Sequence, residues 1–183
     1  MSKPRESLTL IGVDPGATTG VFMYHYRALD RYWPGAAPYE DTEAHQVLSG
    51  EVWELLWNRI DELEDEDCVP HGNIHIAVEK YIITARTAKL SQQPDALEVT
   101  GVVKAVAAQS YSKPSVRQYL KSNLRFASDA MLKAVGWSTP GNRHANDAAR
   151  QAFALLKDID PPRWHKMVAD ASLEAEEDGR TQR

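Results

Sequence analysis

Leu8-Thr9-Leu10-Ile11-Gly12-Val13-Asp14-Pro15-Gly16-Ala17-Thr18-Thr19-Gly20-Val21-Phe22-Met23 is the stretch whose reading decides the fold. Its first half is apolar with β-branched residues and reads as a buried strand. It carries Asp14 into a Pro-Gly turn before a second apolar strand at about 20–26. An Asp ahead of Pro-Gly commonly serves only to form the turn. A core strand can instead fix the carboxylate as a metal ligand, with Gly16 and Gly20 letting backbone or phosphate come close.

Ile74-His75-Ile76-Ala77-Val78-Glu79 repeats the device, a buried-type strand that finishes in an acid. If the two strands are parallel neighbours, Asp14 and Glu79 emerge at one sheet edge, where like charges at close range are costly without a cation between them. A third acid stands in His144-Ala145-Asn146-Asp147-Ala148-Ala149-Arg150-Gln151-Ala152-Phe153-Ala154-Leu155-Leu156. The small and apolar residues predict a closely packed helix with His144 and Asp147 on one face of its first turn. Taken alone, either residue is as readily a helix cap.

The segments between these motifs set the architecture. Ala28 to Trp33 is expected as a third strand of a meander, ended by Pro34-Gly35-Ala36-Ala37-Pro38. From Thr42 the spacing of Val47, Val52, Leu55, Leu56, Ile60 and Leu63 predicts an amphipathic helix whose many acids form a solvated face. The stretch 80–89 reads as a loop beside the second acid. Its Lys80, Tyr81, Arg86 and Lys89 suit contact with phosphates and an unstacked base, although Tyr81 is equally a packing residue.

A helix with Pro94 in its first turn follows, and its small-residue face around Gly101 is a candidate dimer surface. A short strand and turn over 111–117 leads to one or two helices within 115–135. Lys113, Arg117, Lys121, Arg125 and Lys133 against only Asp129 make this the most basic region, either a solvated face or a phosphate-contacting surface. Residues 1–7 are expected to be flexible, 8–160 to form the domain, and 161–183 to be an acidic tail that is mobile or loosely docked.

With 183 residues, 43% of them hydrophobic, and five Trp and seven Tyr, the chain is sized for one domain with a real core. There is no secretory signal after Met1, no apolar run of membrane-spanning length, and a single cysteine, Cys68. A reducing, cytoplasmic setting is therefore expected, with no membrane association. A formal net charge of -5 argues against a uniformly basic coat but not against a localised basic face.

The opening motif is shared by actin-like kinases and by RNase H-like nucleases, and the former need two domains of this size. With all three acidic positions in view, the chain resembles the RuvC-type Holliday junction resolvases of the RNase H-like superfamily, in a divergent form such as bacteriophages carry. The motifs that carry the resemblance are Ile11-Gly12-Val13-Asp14-Pro15-Gly16 with Thr19-Gly20, Ile76-Ala77-Val78-Glu79 and His144-Ala145-Asn146-Asp147-Ala148, spread over about residues 8–157.

The resemblance implies an α/β fold, an RNase H-like mixed five-stranded sheet with helices on both faces, and makes 8–160 the nuclease domain. It also implies an endonuclease that cuts four-way junctions as a homodimer by paired phosphodiester hydrolysis, leaving 5'-phosphates. Two Mg²⁺ ions would be held by Asp14, Glu79 and Asp147 with His144 as the fourth ligand, and Mn²⁺ would substitute; no nucleotide cofactor is implied. Two departures stand out: the Asp14–Gly20 turn is one residue shorter than the bacterial form, and Ile82 aligns with the family's junction-wedging aromatic, while the aromatic here is Tyr81. The rival readings are a less selective nuclease acting on flaps, forks or RNA–DNA hybrids, and a DNA-structure-binding module without activity.

Overall fold

The structure, a computed structural model, describes residues 7–27, 39–65, 73–82 and 93–181. The expected strand at 28–33 and the loop residues Arg86 and Lys89 lie outside these residues. One five-stranded mixed sheet organises the rest, in the order β3-β2-β1-β4-β5. β1 (Ser7–Asp14) pairs antiparallel with β2 (Thr18–Arg27) and parallel with β4 (Ile74–Glu79); β3 (Tyr39–Leu48) and β5 (Ser115–Tyr119) are the edges. All eight residues of β1 are buried, as its central place requires.

Side-chain alternation divides the core in two. Leu8 and Leu10 of β1, Phe22 and Tyr24 of β2 and Ala77 of β4 pack with α4 (Arg143–Ile159). On the opposite face, Ile11, Val13, Val21, Met23, Ile74, Ile76 and Val78 pack with α1 (Val52–Asp65) and α2 (Gln93–Gln109). The expected architecture, a mixed sheet with helices on both faces, is the one observed.

α4 lies unusually close to the sheet because small residues meet there. A Cβ added to Gly12 would sit 2.0 Å from the carbonyl oxygen of Ala148, and one on Gly20 would sit 2.0 Å from that of His144. Ala145, Ala148, Ala149 and Ala152 are the buried helix side of this contact. Gly20 thus serves the close approach of the helix. Within the turn itself, the Thr19 hydroxyl donates to the Gly16 carbonyl at 2.9 Å.

Three expectations are revised. Residues 42–48 are not helical: they belong to β3, which pairs with β2 along its whole length, and the α-helix begins only at Val52. An edge strand half open to solvent keeps its charged residues, so the alternation that marks a strand is blurred there. Within 115–135, β5 and a short 3₁₀ turn at Lys121–Leu124 replace most of the predicted helix, leaving α3 (Asp129–Ala134).

The segment set apart as a tail is α5 (Pro161–Thr181), with proline at its first position. Trp164, Met167 and Val168 pack on the α4 side of the core and Ala171 is buried, so this half is docked rather than loosely held. No helix among the described residues is long and apolar enough to cross a membrane.

Candidate active site

The parallel register that pairs Val13 with Val78 brings the next residues, Asp14 and Glu79, out at the same end of the sheet. Parity does the rest. Asp14 follows Leu8, Leu10 and Gly12, and Glu79 follows Ala77, on the face covered by α4. The start of α4 overhangs that end, capped by Asn142, whose side-chain oxygen accepts from the Ala145 amide at 2.9 Å. The cap segment is held in turn: Thr139 and Asn146 exchange two hydrogen bonds of 2.8 and 3.1 Å. Just ahead of it, Trp137 is buried among Phe22, Tyr24 and Phe153 with ring centroids 4.8–5.5 Å apart.

Asp14 is 7% exposed, and its carboxylate lies 3.0 Å from His144 Nδ1. Burial first, and then its interaction with Asp14, push the Glu79 carboxyl up to about 7 despite the opposing charge of Lys121. Asp147 faces cations on both oxygens. Its Oδ1 pairs with Arg150, while Lys121 Nζ lies 3.0 Å and Arg143 Nε 4.0 Å from Oδ2. Burial pulls the Lys121 ammonium down, but the bond to Asp147 and the charges of Asp147, Glu79 and Asp14 outweigh it, so its pKa is raised.

Two grooves meet at this point. One, of about 680 Å³, is lined by Glu79 and Asp147 together with Lys121, Arg125, Arg143 and Arg150. The other, of about 420 Å³, runs past Asp14, the Pro15–Thr18 turn, Tyr81, His144 and Asp147. The donor chemistry fits a hard divalent cation: three carboxylates and an imidazole converge, and Glu79 is half-buried beside the Asp14 carboxylate. Among the described residues no three of these side chains already stand in ligating geometry. The reason is visible in the pairing, which turns Asp147 toward its cations and Asp14 toward His144.

No family model and no curated protein sequence matches the chain. Solved structures do. Thermus thermophilus RuvC in complex with a Holliday junction substrate superposes with a TM-score of 0.51 at 16% identity, covering 84% of this chain and 96% of that one. A second Thermus thermophilus RuvC structure gives 0.50 at 17% identity, over 83% and 96%. The chain has the RuvC fold.

Within this RuvC fold, the residues read from sequence as DNA contacts divide. Lys121, Arg125, Lys80 and Tyr81 lie at the end of the sheet that carries the acids, with Lys80 exposed immediately after Glu79 and Tyr81 half-buried beside Asp14. Lys113 does not: it precedes β5, at the opposite end of a strand parallel to β4, and donates to the Ala108 carbonyl at 2.6 Å. Arg117 lies partway along β5 and pairs with Asp158 at 3.3 Å. Arg143 and Arg150 were missed as site residues. The only sequence signal was helical spacing from Asp147, which placed Arg150 one turn further on.

Proposed function

We propose that this protein is a metal-dependent endonuclease that resolves four-way DNA junctions by paired phosphodiester hydrolysis. The observation that carries the reading is the convergence of Asp14 and Glu79 from neighbouring parallel strands beneath the helix that bears His144 and Asp147. The RuvC fold supports it, one of the matched RuvC structures being a complex with a Holliday junction substrate.

Asp14, Glu79 and Asp147 would hold two Mg²⁺ ions, with His144 as an additional ligand or a support for bound water; an imidazole ligand also suits Mn²⁺. The chemistry supplied by bound cations is activation of water and neutralisation of charge on the phosphate and the leaving 3'-oxygen. Lys121 and Arg125, on the groove beside the acids, are placed to grip backbone phosphates, as are exposed Lys80 and Arg143. Such contacts position DNA without reading its sequence, so junction choice would come from two sites held apart in a homodimer. The exposed side of α2, with Leu97 44% exposed and Gly101 open to solvent, is the candidate surface for that pairing.

A cleavage panel tests the proposal: mobile four-way junction, fork, flap, RNA–DNA hybrid and linear duplex, each with Mg²⁺ or Mn²⁺, with nick positions mapped. Symmetric paired nicks on the junction, ligatable and faster than on any other substrate, are expected. Equal rates on forks and flaps would favour a less selective nuclease, a reading to which exposed Ile82 at the family's aromatic position lends weight. Absence of cleavage on every substrate would favour a binding module.

A further inference from the structure

We infer that Arg150 is a positioning residue for Asp147, fixing which carboxylate oxygen can be offered to a divalent cation; the inference rests on the metal-nuclease reading above. The Arg150 guanidinium is committed on three sides. Its Nε donates to the Ala127 carbonyl at 3.0 Å, and its two terminal nitrogens pair with Oδ1 of Asp147 and Oδ1 of Asp129. The side chain is only 19% exposed, and three acceptors fix the plane of the fork.

The other oxygen of Asp147 is held differently. Oδ2 faces Lys121 Nζ at 3.0 Å and Arg143 Nε at 4.0 Å, side chains that are 57% and 85% exposed. A hydrated ammonium on a flexible stem and an exposed arginine at long range are exchangeable partners. A guanidinium anchored by a backbone carbonyl and a second carboxylate is not. Oδ1 is therefore locked and Oδ2 is the atom that can trade a side-chain cation for a metal ion. Asp129 opens α3, so the same fork ties the catalytic end of α4 to that helix.

Charge and geometry pull in opposite directions here, which makes the role separable. A positive charge beside Asp147 weakens the attraction of any cation for it, so a purely electrostatic role requires only that the charge be kept. Positioning requires the planar fork. Arg150→Lys keeps the charge and loses the fork.

The test is Mn²⁺ binding to the full-length protein, followed by electron paramagnetic resonance of free Mn²⁺ without DNA, for wild type, Asp14→Asn, Arg150→Lys and Asp129→Asn. Thermal unfolding of each variant is measured alongside. Wild type should bind, Asp14→Asn should lose affinity, and Arg150→Lys should bind about 10- to 100-fold more weakly, the range for partners that orient a metal ligand. Asp129→Asn should shift affinity in the same direction. Wild-type affinity in Arg150→Lys overturns the inference while leaving the metal site standing. Asp129 is 82% exposed, so if Arg150→Lys does not fold, unchanged affinity in Asp129→Asn overturns it instead. Equal Mn²⁺ binding by wild type and Asp14→Asn would overturn the metal site, and the inference with it.

Discussion

Glu79 shows what the candidate site asks of a single side chain. A carboxyl raised to about 7 by burial and by its interaction with Asp14 holds its proton more tightly in the folded chain than in the unfolded one, where the ordinary value is 4.5. The stabilising contribution of that proton is complete below about pH 4.5 and is lost as pH rises through about 7. In EDTA, the melting temperature of Glu79→Gln relative to wild type should therefore climb between pH 5 and pH 8, because the amide never has to ionise. A difference that stays flat across this range would contradict a raised Glu79 carboxyl. Adding Mg²⁺ at pH 8 should stabilise wild type and not the variant, since the bound cation offsets the paired charges.

Asp14 and Glu79 were legible in the sequence because a buried strand ending in an acid is an uncommon pattern, and it occurs twice. Arg150 was not, because what gives it meaning lies far along the chain: Asp129 is 21 residues away and Ala127 is 23. Lys121 was seen as one basic residue among many. Its distinction comes from the parallel pairing of Glu79 with Tyr119, which ends β5 two residues before Lys121 and delivers it to the acids.

Among the elements, α4 and the strand pair beneath it form the unit on which the site depends. The contact is backbone against backbone at Gly12 and Gly20, so neither position has room for a methyl group. Gly12→Ala and Gly20→Ala should each lower stability by about 1–3 kcal/mol or more, as overpacking does, measured by denaturant unfolding. Cleavage should fall further than stability at position 20, because the displaced residue there is His144 itself. A Gly20→Ala protein of wild-type stability and activity would mean that α4 does not approach as described.

The helix was readable as close-packed from its alanines, but the sheet residues that receive it were not, since a glycine in a strand looks the same whether it serves a turn or a neighbour. β3 escaped for a different reason. Its outward edge tolerates Glu40, Asp41 and Glu43, and those charges with Val47 and Val52 imitate the spacing of a helix.

For the molecule as a whole, a net charge of -5 coexists with a groove lined by Lys121, Arg125, Arg143 and Arg150. Binding to junction DNA should be steeply salt-dependent, and Arg125→Ala should reduce the slope of log affinity against log salt by about 1 without changing substrate preference. An unchanged slope would remove Arg125 from the DNA path.

The central claim is that Asp14 belongs to a centre that cuts DNA with divalent metal. Its most direct test is a single-turnover cleavage assay of a mobile four-way junction, started by adding Mg²⁺ to preformed complexes of wild type and Asp14→Asn. Both should bind the junction, and the variant should cut at least about 100-fold more slowly, since even residues that merely orient a metal ligand cost up to that much. Cleavage by Asp14→Asn at the wild-type rate would contradict the account.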